Sequence, residues 1–222
     1  MSREPMSDKR RRAREVLRRL GAAMPGARIE LDFRSPLELL VAVLLSAQTT
    51  DKRVNLVTPA LFARFRRAED YAAAAPGELE AHIASLGLFR NKARSLVALG
   101  RALVAAHGGQ VPVRRAALAE LPGVGPKTAG VVSMHLPGGD PAFPVDTHVQ
   151  RLAARLGFSS ARTPDAVEAE LCRLVDVDGW VQGHQLLIWH GRRVCGARRP
   201  ECHRCVVEAL CPQRGVPQRA KR

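Results

Sequence analysis

The fold of this chain is decided by the stretch LPGVGPKTAG at residues 121–130, which lies between two apolar, Ala-rich segments. Glycine and proline interrupt regular structure strongly, so the pattern predicts a helix, a tight hairpin and a second helix. Gly123 and Gly125 would permit backbone conformations that other residues avoid, and Pro126 suits the first turn of the second helix. An ordinary helical corner explains the glycines equally well, but such a corner has no need of Lys127.

The charge of the chain points to a polyanionic partner. Lys and Arg number 35 against 21 Asp and Glu, which gives a net charge of +14. Such an excess favours nucleic acid over a membrane, and the N–H groups at the start of the second helix would bind a DNA phosphate. The longest apolar run, Leu39–Leu45, is too short to span a bilayer, and no apolar signal core follows the basic N-terminus. We therefore expect a soluble, cytoplasmic protein.

Apolar residues recur at helical spacing along most of the chain, and no convincing strand pattern occurs, so an all-α fold is predicted. Residues 1–12 are interpreted as a solvated basic arm. The predicted helices are Arg14–Ala22, Leu37–Ala47, Arg53–Phe65, Glu69–Ala75, Pro76–Leu86, Asn91–His107, Arg115–Leu121, Lys127–His135, Thr147–Leu156, Pro164–Val175 and Val181–Val194.

Polar residues stand at the ends of several of these helices. Ser46, Gln48, Thr49, Thr50 and Asp51 follow a strongly apolar helix, which is typical of a surface cleft or of a helix end with an Asp cap for the next helix. In the same way, Asp146 is placed to cap the helix that begins at Thr147. Both the capping and the functional interpretation stay open for these residues.

Four cysteines near the C-terminus are spaced C-x6-C-x2-C-x5-C. A structural zinc site usually brings two short C-x2-C pairs, whereas four thiolates in one compact loop suit an iron–sulfur cluster. The spacing favours iron–sulfur and leaves zinc and unrelated thiols as alternatives. Arg198 and Arg199 lie between the first two cysteines, where they suit a phosphate contact or an ordinary exposed surface. The cysteines are Cys195, Cys202, Cys205 and Cys211.

Taken together, these features resemble the endonuclease III family of DNA base-excision glycosylases, over nearly the whole chain from about Leu31 to Cys211. The resemblance rests on ordered motifs rather than on any single one. They are LLSAQTTD at 44–51, Gly87-Leu88, LPGVG at 121–125 with KTA at 127–129, VDTH at 145–148, and the cysteine cluster.

The resemblance implies a six-helix domain at 28–139 with a helix-hairpin-helix at about 115–135. A discontinuous iron–sulfur domain would comprise 1–27 and 140–222, with its cluster loop at 195–211. Double-stranded DNA carrying a damaged base or an abasic site would lie in a cleft between the two domains. A monomer is expected, associated with the nucleoid in a prokaryote.

By position, Lys127 matches the family's nucleophile and Asp146 its catalytic aspartate, and the four cysteines match the ligands of a [4Fe-4S] cluster. Gln48 and Leu88 match residues that enter the duplex. Without the family match, a solvated helix end explains Gln48 and a core position explains Leu88. The hairpin residues Gly123, Val124 and Gly125, with Arg198 and Arg199, are expected to contact DNA phosphates.

The implied function is that of a bifunctional DNA glycosylase and AP lyase, which excises oxidised pyrimidines through a Schiff base and cuts the strand by β-elimination. The alternatives are a monofunctional mismatch glycosylase and a non-catalytic iron–sulfur protein that binds DNA or senses redox state. The first would lack Lys127, and the second would have no reason to keep both Lys127 and Asp146. Pro126 and Gly130 depart from the family pattern, which leaves the range of lesions open.

Overall fold

The computed structural model describes residues 4–216, and the regular structure in that range is helical. The β-type pairing found there is an isolated bridge between Cys195 and Pro200. The predicted all-α fold is therefore confirmed. The helices are α1 (Met6–Ala23), α2 (Pro36–Leu45), α3 (Asp51–Arg64), α4 (Ala68–Ala73), α5 (Pro76–Ile83), α6 (Phe89–His107), α7 (Arg115–Ala119), α8 (Pro126–Ser133), α9 (Thr147–Arg155), α10 (Pro164–Leu174) and α11 (Trp180–Arg193).

Capping side chains fix where the first helices of the central segment begin. The Ser35 hydroxyl accepts a hydrogen bond from the Glu38 N–H at 3.2 Å, and a proline opens α2. Helix α3 is capped by Thr50, whose hydroxyl accepts from the Arg53 N–H at 3.4 Å. Asp51 is thus the first helical residue rather than the predicted cap.

The predicted basic arm is wrong from Met6 onward, because α1 already begins there. An apolar stripe of Ala13, Val16 and Leu20 is buried and provides the reason for helix formation. One arginine of the supposed arm, Arg12, is half-buried, and its guanidinium donates to the Leu156 carbonyl at 2.7 Å. The part of the arm at residues 1–3 lies outside the described residues.

The chain divides into two compact units. One unit is Glu30–Asp140, which contains α2 to α8. The other joins the segment through Ile29 to the segment from Pro141 onward, and it contains α1 and α9 to α11.

Each unit has its own apolar core. In the Glu30–Asp140 unit the whole run Leu39–Leu45 of α2 is buried, and α6 packs closely on α4. Gly100 permits that approach, since an added Cβ would lie 2.6 Å from the backbone nitrogen of Ala72. The other unit is built on large buried side chains from α1, α9, α10, α11 and the connecting loops, among them Leu20, Phe143, Leu152, Phe158, Leu171 and Leu187.

Candidate active site

The predicted hairpin joins α7 to α8. The Leu121 N–H donates to the Leu118 carbonyl at 3.2 Å, and the Val124 N–H donates to the Leu121 carbonyl at 3.0 Å. Gly123 has a φ of +79°, and an added Cβ would lie only 3.3 Å from the Cβ of Ser95. This position therefore requires glycine both for its backbone conformation and for its close packing.

Gly125 does not share that requirement, so this part of the prediction is wrong. It is the N-cap of α8, with an extended φ of −82°, and an added Cβ would meet open space. An N-cap residue ordinarily adopts the extended region, which any residue reaches. Pro126 occupies the first helical position as predicted.

Lys127 is the second residue of α8, and it is exposed. The N–H groups of a first helical turn have no partner within the helix and carry its positive partial charge. A lysine is unfavourable at that end of a helix, so helix stability does not explain its presence. Its exposure leaves the amine accessible to a ligand at the hairpin.

A hydrogen-bonded network at the open end of the hairpin holds α7 and α8 together. The Asp140 carboxylate accepts from the Arg115 N–H at 2.7 Å and pairs with the Arg114 guanidinium at 2.5 Å. The bond from the Arg115 N–H is the main reason why the pKa of Asp140 lies below its ordinary value. The Ser133 hydroxyl donates to the Val113 carbonyl at 2.6 Å and accepts from the Asp140 N–H at 2.8 Å. These bonds fix the geometry of the hairpin.

Asp146 is the N-cap of α9, as predicted. Its Oδ1 accepts a hydrogen bond from the Val149 N–H at 2.8 Å, and the residue is half-buried. This bond orients the carboxylate, which makes a precise chemical role compatible with capping.

Gln48 and Leu88 share an uncommon backbone conformation. Their φ angles are +54° and +59°, and Gln213 is the other non-glycine residue with a positive φ within residues 4–216. A left-handed conformation costs a leucine roughly 1–2 kcal/mol. Leu88 is nevertheless 56% exposed, so the interpretation as a core leucine is wrong. Strain of this kind, combined with an exposed apolar side chain, is typical of a functional position.

Lys92 is a buried residue that the sequence analysis missed. It is 6% exposed, and its Nζ donates to the Leu45 carbonyl at 2.9 Å and to the Thr49 hydroxyl at 2.7 Å. Burial lowers the pKa of this ammonium. Lys92 stands four residues before the buried Leu96, a helical spacing that places it on the apolar face of α6. This spacing is the sequence signal that could have revealed it.

The four clustered cysteines line one pocket. Burial raises the pKa of three of their thiols, so the thiolate form needs a neighbouring cation to stabilise it. Within the described part of the chain, no group of three or more His, Cys, Asp or Glu side chains is arranged to hold a single metal ion. The raised thiols are Cys202, Cys205 and Cys211, and the pocket also contains Cys195, Arg155 and His190.

Two buried basic residues that line this pocket were also missed. Arg155 is 5% exposed, and its guanidinium donates to the Gly196 carbonyl at 2.8 Å and the Ala197 carbonyl at 2.7 Å. His190 lies with Nε2 at 3.4 Å from the Cys205 sulfur, and burial lowers the pKa of this histidine to about 4. Arg155 thus fixes the loop that carries the exposed Arg198 and Arg199.

Comparison with known proteins identifies the family of this chain. A family model described as "HhH-GPD superfamily base excision DNA repair protein" matches residues 41–176. Endonuclease III of Synechocystis sp. is 45% identical over 207 residues, which cover 93% of this chain and 94% of that relative. The chain belongs to the endonuclease III family. Endonuclease III of Escherichia coli K12 is 41% identical over 89% of this chain and 93% of its own length.

A solved endonuclease III extends the likeness to three dimensions. This structure is a trapped covalent intermediate with DNA in an estranged-adenine complex, and it matches with a TM-score of 0.87 at 42% identity. The match covers 92% of this chain and 96% of that chain. The resemblance inferred from the motifs is therefore confirmed. As an endonuclease III, the chain is a DNA glycosylase with AP lyase activity. Within the described residues, no helix is both long and apolar enough to cross a membrane.

Proposed function

We propose that this endonuclease III removes oxidised pyrimidines from duplex DNA through a Schiff base on Lys127, and then cuts the strand by β-elimination. The observation that carries the proposal is the exposed lysine in the first turn of α8, directly after a hairpin that requires Gly123. The related endonuclease III trapped as a covalent intermediate with DNA supports a mechanism in which enzyme and DNA become bonded.

The chemistry begins with extrusion of the damaged nucleotide, because a base inside the duplex is inaccessible. The nitrogen lone pair of Lys127 attacks C1′, and the bond between C1′ and the base breaks, so that the base leaves with the electron pair and takes up a proton. The sugar ring opens to a Schiff base on Lys127. Loss of a C2′ proton then breaks the C3′–O bond, which cuts the strand on the 3′ side of the lesion.

Asp146 stabilises the positive charge that develops on the deoxyribose while the base departs. Its bond to the Val149 N–H, 2.8 Å long, holds the carboxylate in place before the reaction begins. Electrostatic groups of this kind act best when they need no reorganisation during the reaction. The same orientation of the Asp146 carboxylate thus serves both the capping of α9 and catalysis.

Backbone N–H groups around the hairpin bind DNA phosphates. The exposed Gly123 and Gly125 let the main chain approach the strand, while the buried Val124 anchors the turn. Pro126 has no N–H, so the first helical position of α8 contributes no donor. Arg198 and Arg199 extend from the cysteine loop and contact phosphates by charge.

Gln48 and Leu88 enter the duplex when the nucleotide leaves it. The exposed leucine is an apolar side chain of the kind that separates stacked bases, and the glutamine offers both a donor and an acceptor to the orphaned base. Both residues have left-handed backbone conformations at chain turns, and both are exposed.

The four cysteines hold a [4Fe-4S] cluster. A zinc ion needs its ligands within about 2.3 Å of a single point, whereas each iron of a cluster takes its own thiolate. Four thiols that line one pocket and follow one another with the spacing C-x6-C-x2-C-x5-C suit the cluster better. When bound, the cluster supplies no bond-breaking step but cross-links the loop that presents Arg198 and Arg199.

Purified protein is expected to be brown and to contain about four irons and about four acid-labile sulfides per chain, because the pocket offers four separate thiolates. Elemental analysis with a sulfide assay measures this directly. Zinc in a colourless protein would contradict the assignment. Replacement of Cys202 by serine is expected to lower the iron content, while the same change at Cys172 leaves it unchanged because Cys172 lies outside the pocket.

The function itself is tested with duplex DNA that contains thymine glycol. The protein is expected to release the free base and to leave a strand cut 3′ to the lesion. We propose that it acts as a monomer on the chromosomal DNA in the cytoplasm. Chromatography of the base and gel analysis of the labelled strand distinguish the two steps. Base release without a cut would instead identify a monofunctional glycosylase, and binding without release would identify a non-catalytic DNA-binding protein.

A further inference from the structure

Two turns of the Glu30–Asp140 unit present the side chains that we assign to the duplex. The Gln48 turn, residues 46–50, follows the last residue of α2, and the Leu88 turn, residues 84–88, precedes α6. Each turn contains a non-glycine residue in the left-handed region. Such conformations persist only where the surrounding structure holds them.

Lys92 forms hydrogen bonds to both of these turns. Its backbone N–H donates to the Leu88 carbonyl at 3.0 Å, which closes the first turn of α6. Its Nζ donates to the Leu45 carbonyl at 2.9 Å and to the Thr49 hydroxyl at 2.7 Å, on either side of Gln48. Lys92 therefore links the two turns, since its main chain bonds to Leu88 and its side chain fixes this start of α6 to the residues on either side of Gln48.

Packing alone does not call for a lysine at this place. A methionine would fill a similar volume without the free energy that is needed to bury an ammonium group. The charge does find favourable partners, because the Leu45 carbonyl belongs to the C-terminal end of α2, where the helix dipole is negative. The Lys92 ammonium thus donates to a main-chain carbonyl before Gln48 and to a hydroxyl after it, and both acceptors belong to the chain segment around the Gln48 turn.

We infer that Lys92 is a positioning residue, which holds the Gln48 and Leu88 turns at a fixed separation so that both side chains enter the DNA together. This inference rests on the proposed function of those two residues. Lys92 is buried and touches no DNA on this account, so its effect is transmitted through the two turns.

The test is Lys92→Met in the full-length protein, with 2-aminopurine placed beside an abasic-site analogue in duplex DNA. The wild-type protein is expected to unstack the probe and raise its fluorescence, and the variant to lose most of that rise, as Leu88→Ala does. Base excision at thymine glycol in a single turnover is expected to slow by about 10-fold or more, since small displacements of positioning groups have large effects on rate. Cleavage at a preformed abasic site is expected to fall less.

Two controls separate positioning from stability and from charge. Leu79→Ala removes a fully buried side chain of α5, outside residues 46–50 and 84–88, and lowers stability. Arg101→Gln removes a positive charge from an exposed position on the same helix as Lys92. Both controls are expected to keep the wild-type fluorescence rise. The Lys92→Met and Leu88→Ala effects on excision are expected to be less than additive, since both act on one step.

Wild-type fluorescence and excision in Lys92→Met would overturn the inference. If that variant fails to fold, Thr49→Val decides the question, because it removes one acceptor of the ammonium and keeps the lysine. An intermediate loss of the fluorescence rise supports the inference, and a wild-type rise overturns it. Absence of base release by the wild-type protein is a separate outcome, which would contradict the proposed function instead.

Discussion

Lys127→Ala is expected to lower strand cleavage at thymine glycol by about 10³-fold or more, because alanine has no amine with which to form the Schiff base. The fold is expected to stay intact. Lys127 is exposed, alanine is the better helix former, and the substitution removes a cation from the positive end of α8. Single-turnover gel kinetics measure the rate, and thermal unfolding checks the fold.

The matched control is Lys52→Ala. Lys52 is also an exposed lysine at the second position of a helix, namely α3, and its removal changes the net charge by the same amount. Its cleavage rate is expected to stay within about twofold of the wild-type value, because Lys52 lies outside the hairpin and α8 and has no proposed part in forming the Schiff base. Cleavage by Lys127→Ala at the wild-type rate would show that another group is the nucleophile.

Asp146→Asn is expected to lower the turnover rate by about 10²- to 10³-fold while DNA affinity stays nearly unchanged. Asparagine accepts the bond from the Val149 N–H as well as aspartate does, so the cap of α9 is kept and only the negative charge is lost. A change in rate without a change in unfolding temperature therefore reports on chemistry.

Asp70→Asn provides the comparison for Asp146→Asn. The Asp70 carboxylate accepts from the N–H groups of Arg66 and Arg67 at 2.8 and 2.9 Å, at the start of α4. It is thus an aspartate with a helix-start role and no proposed part in the reaction, and its turnover rate is expected to match the wild type. If Asp146→Asn also turns over at the wild-type rate, Asp146 is only a cap.

Much of the fold could be predicted because local rules agree with the tertiary structure. Apolar periodicity marked most helices to within a few residues, and Ser35, Pro36 and Asp146 took the helix-end positions that their chemistry favours. The N-terminal arm was misread because its charges obscured a helix whose buried stripe begins only at Ala13.

The site was less predictable where it depends on contacts between distant residues. Asp140 and Ser133 hold the hairpin through bonds that no local pattern specifies, and Arg155 reaches the cysteine loop from α9. Gly125 resembles Gly123 in sequence but has an extended backbone that any residue adopts. The left-handed conformation of Leu88 is likewise visible only in three dimensions.

The covalent attachment point tests the central claim most directly. Wild-type protein is mixed with duplex DNA containing thymine glycol, reduced with borohydride, digested with a protease, and the peptide that carries the nucleotide is identified by mass spectrometry. The account predicts a reduced adduct on Lys127. An adduct on another residue, or none while base release and strand cleavage proceed, would contradict it.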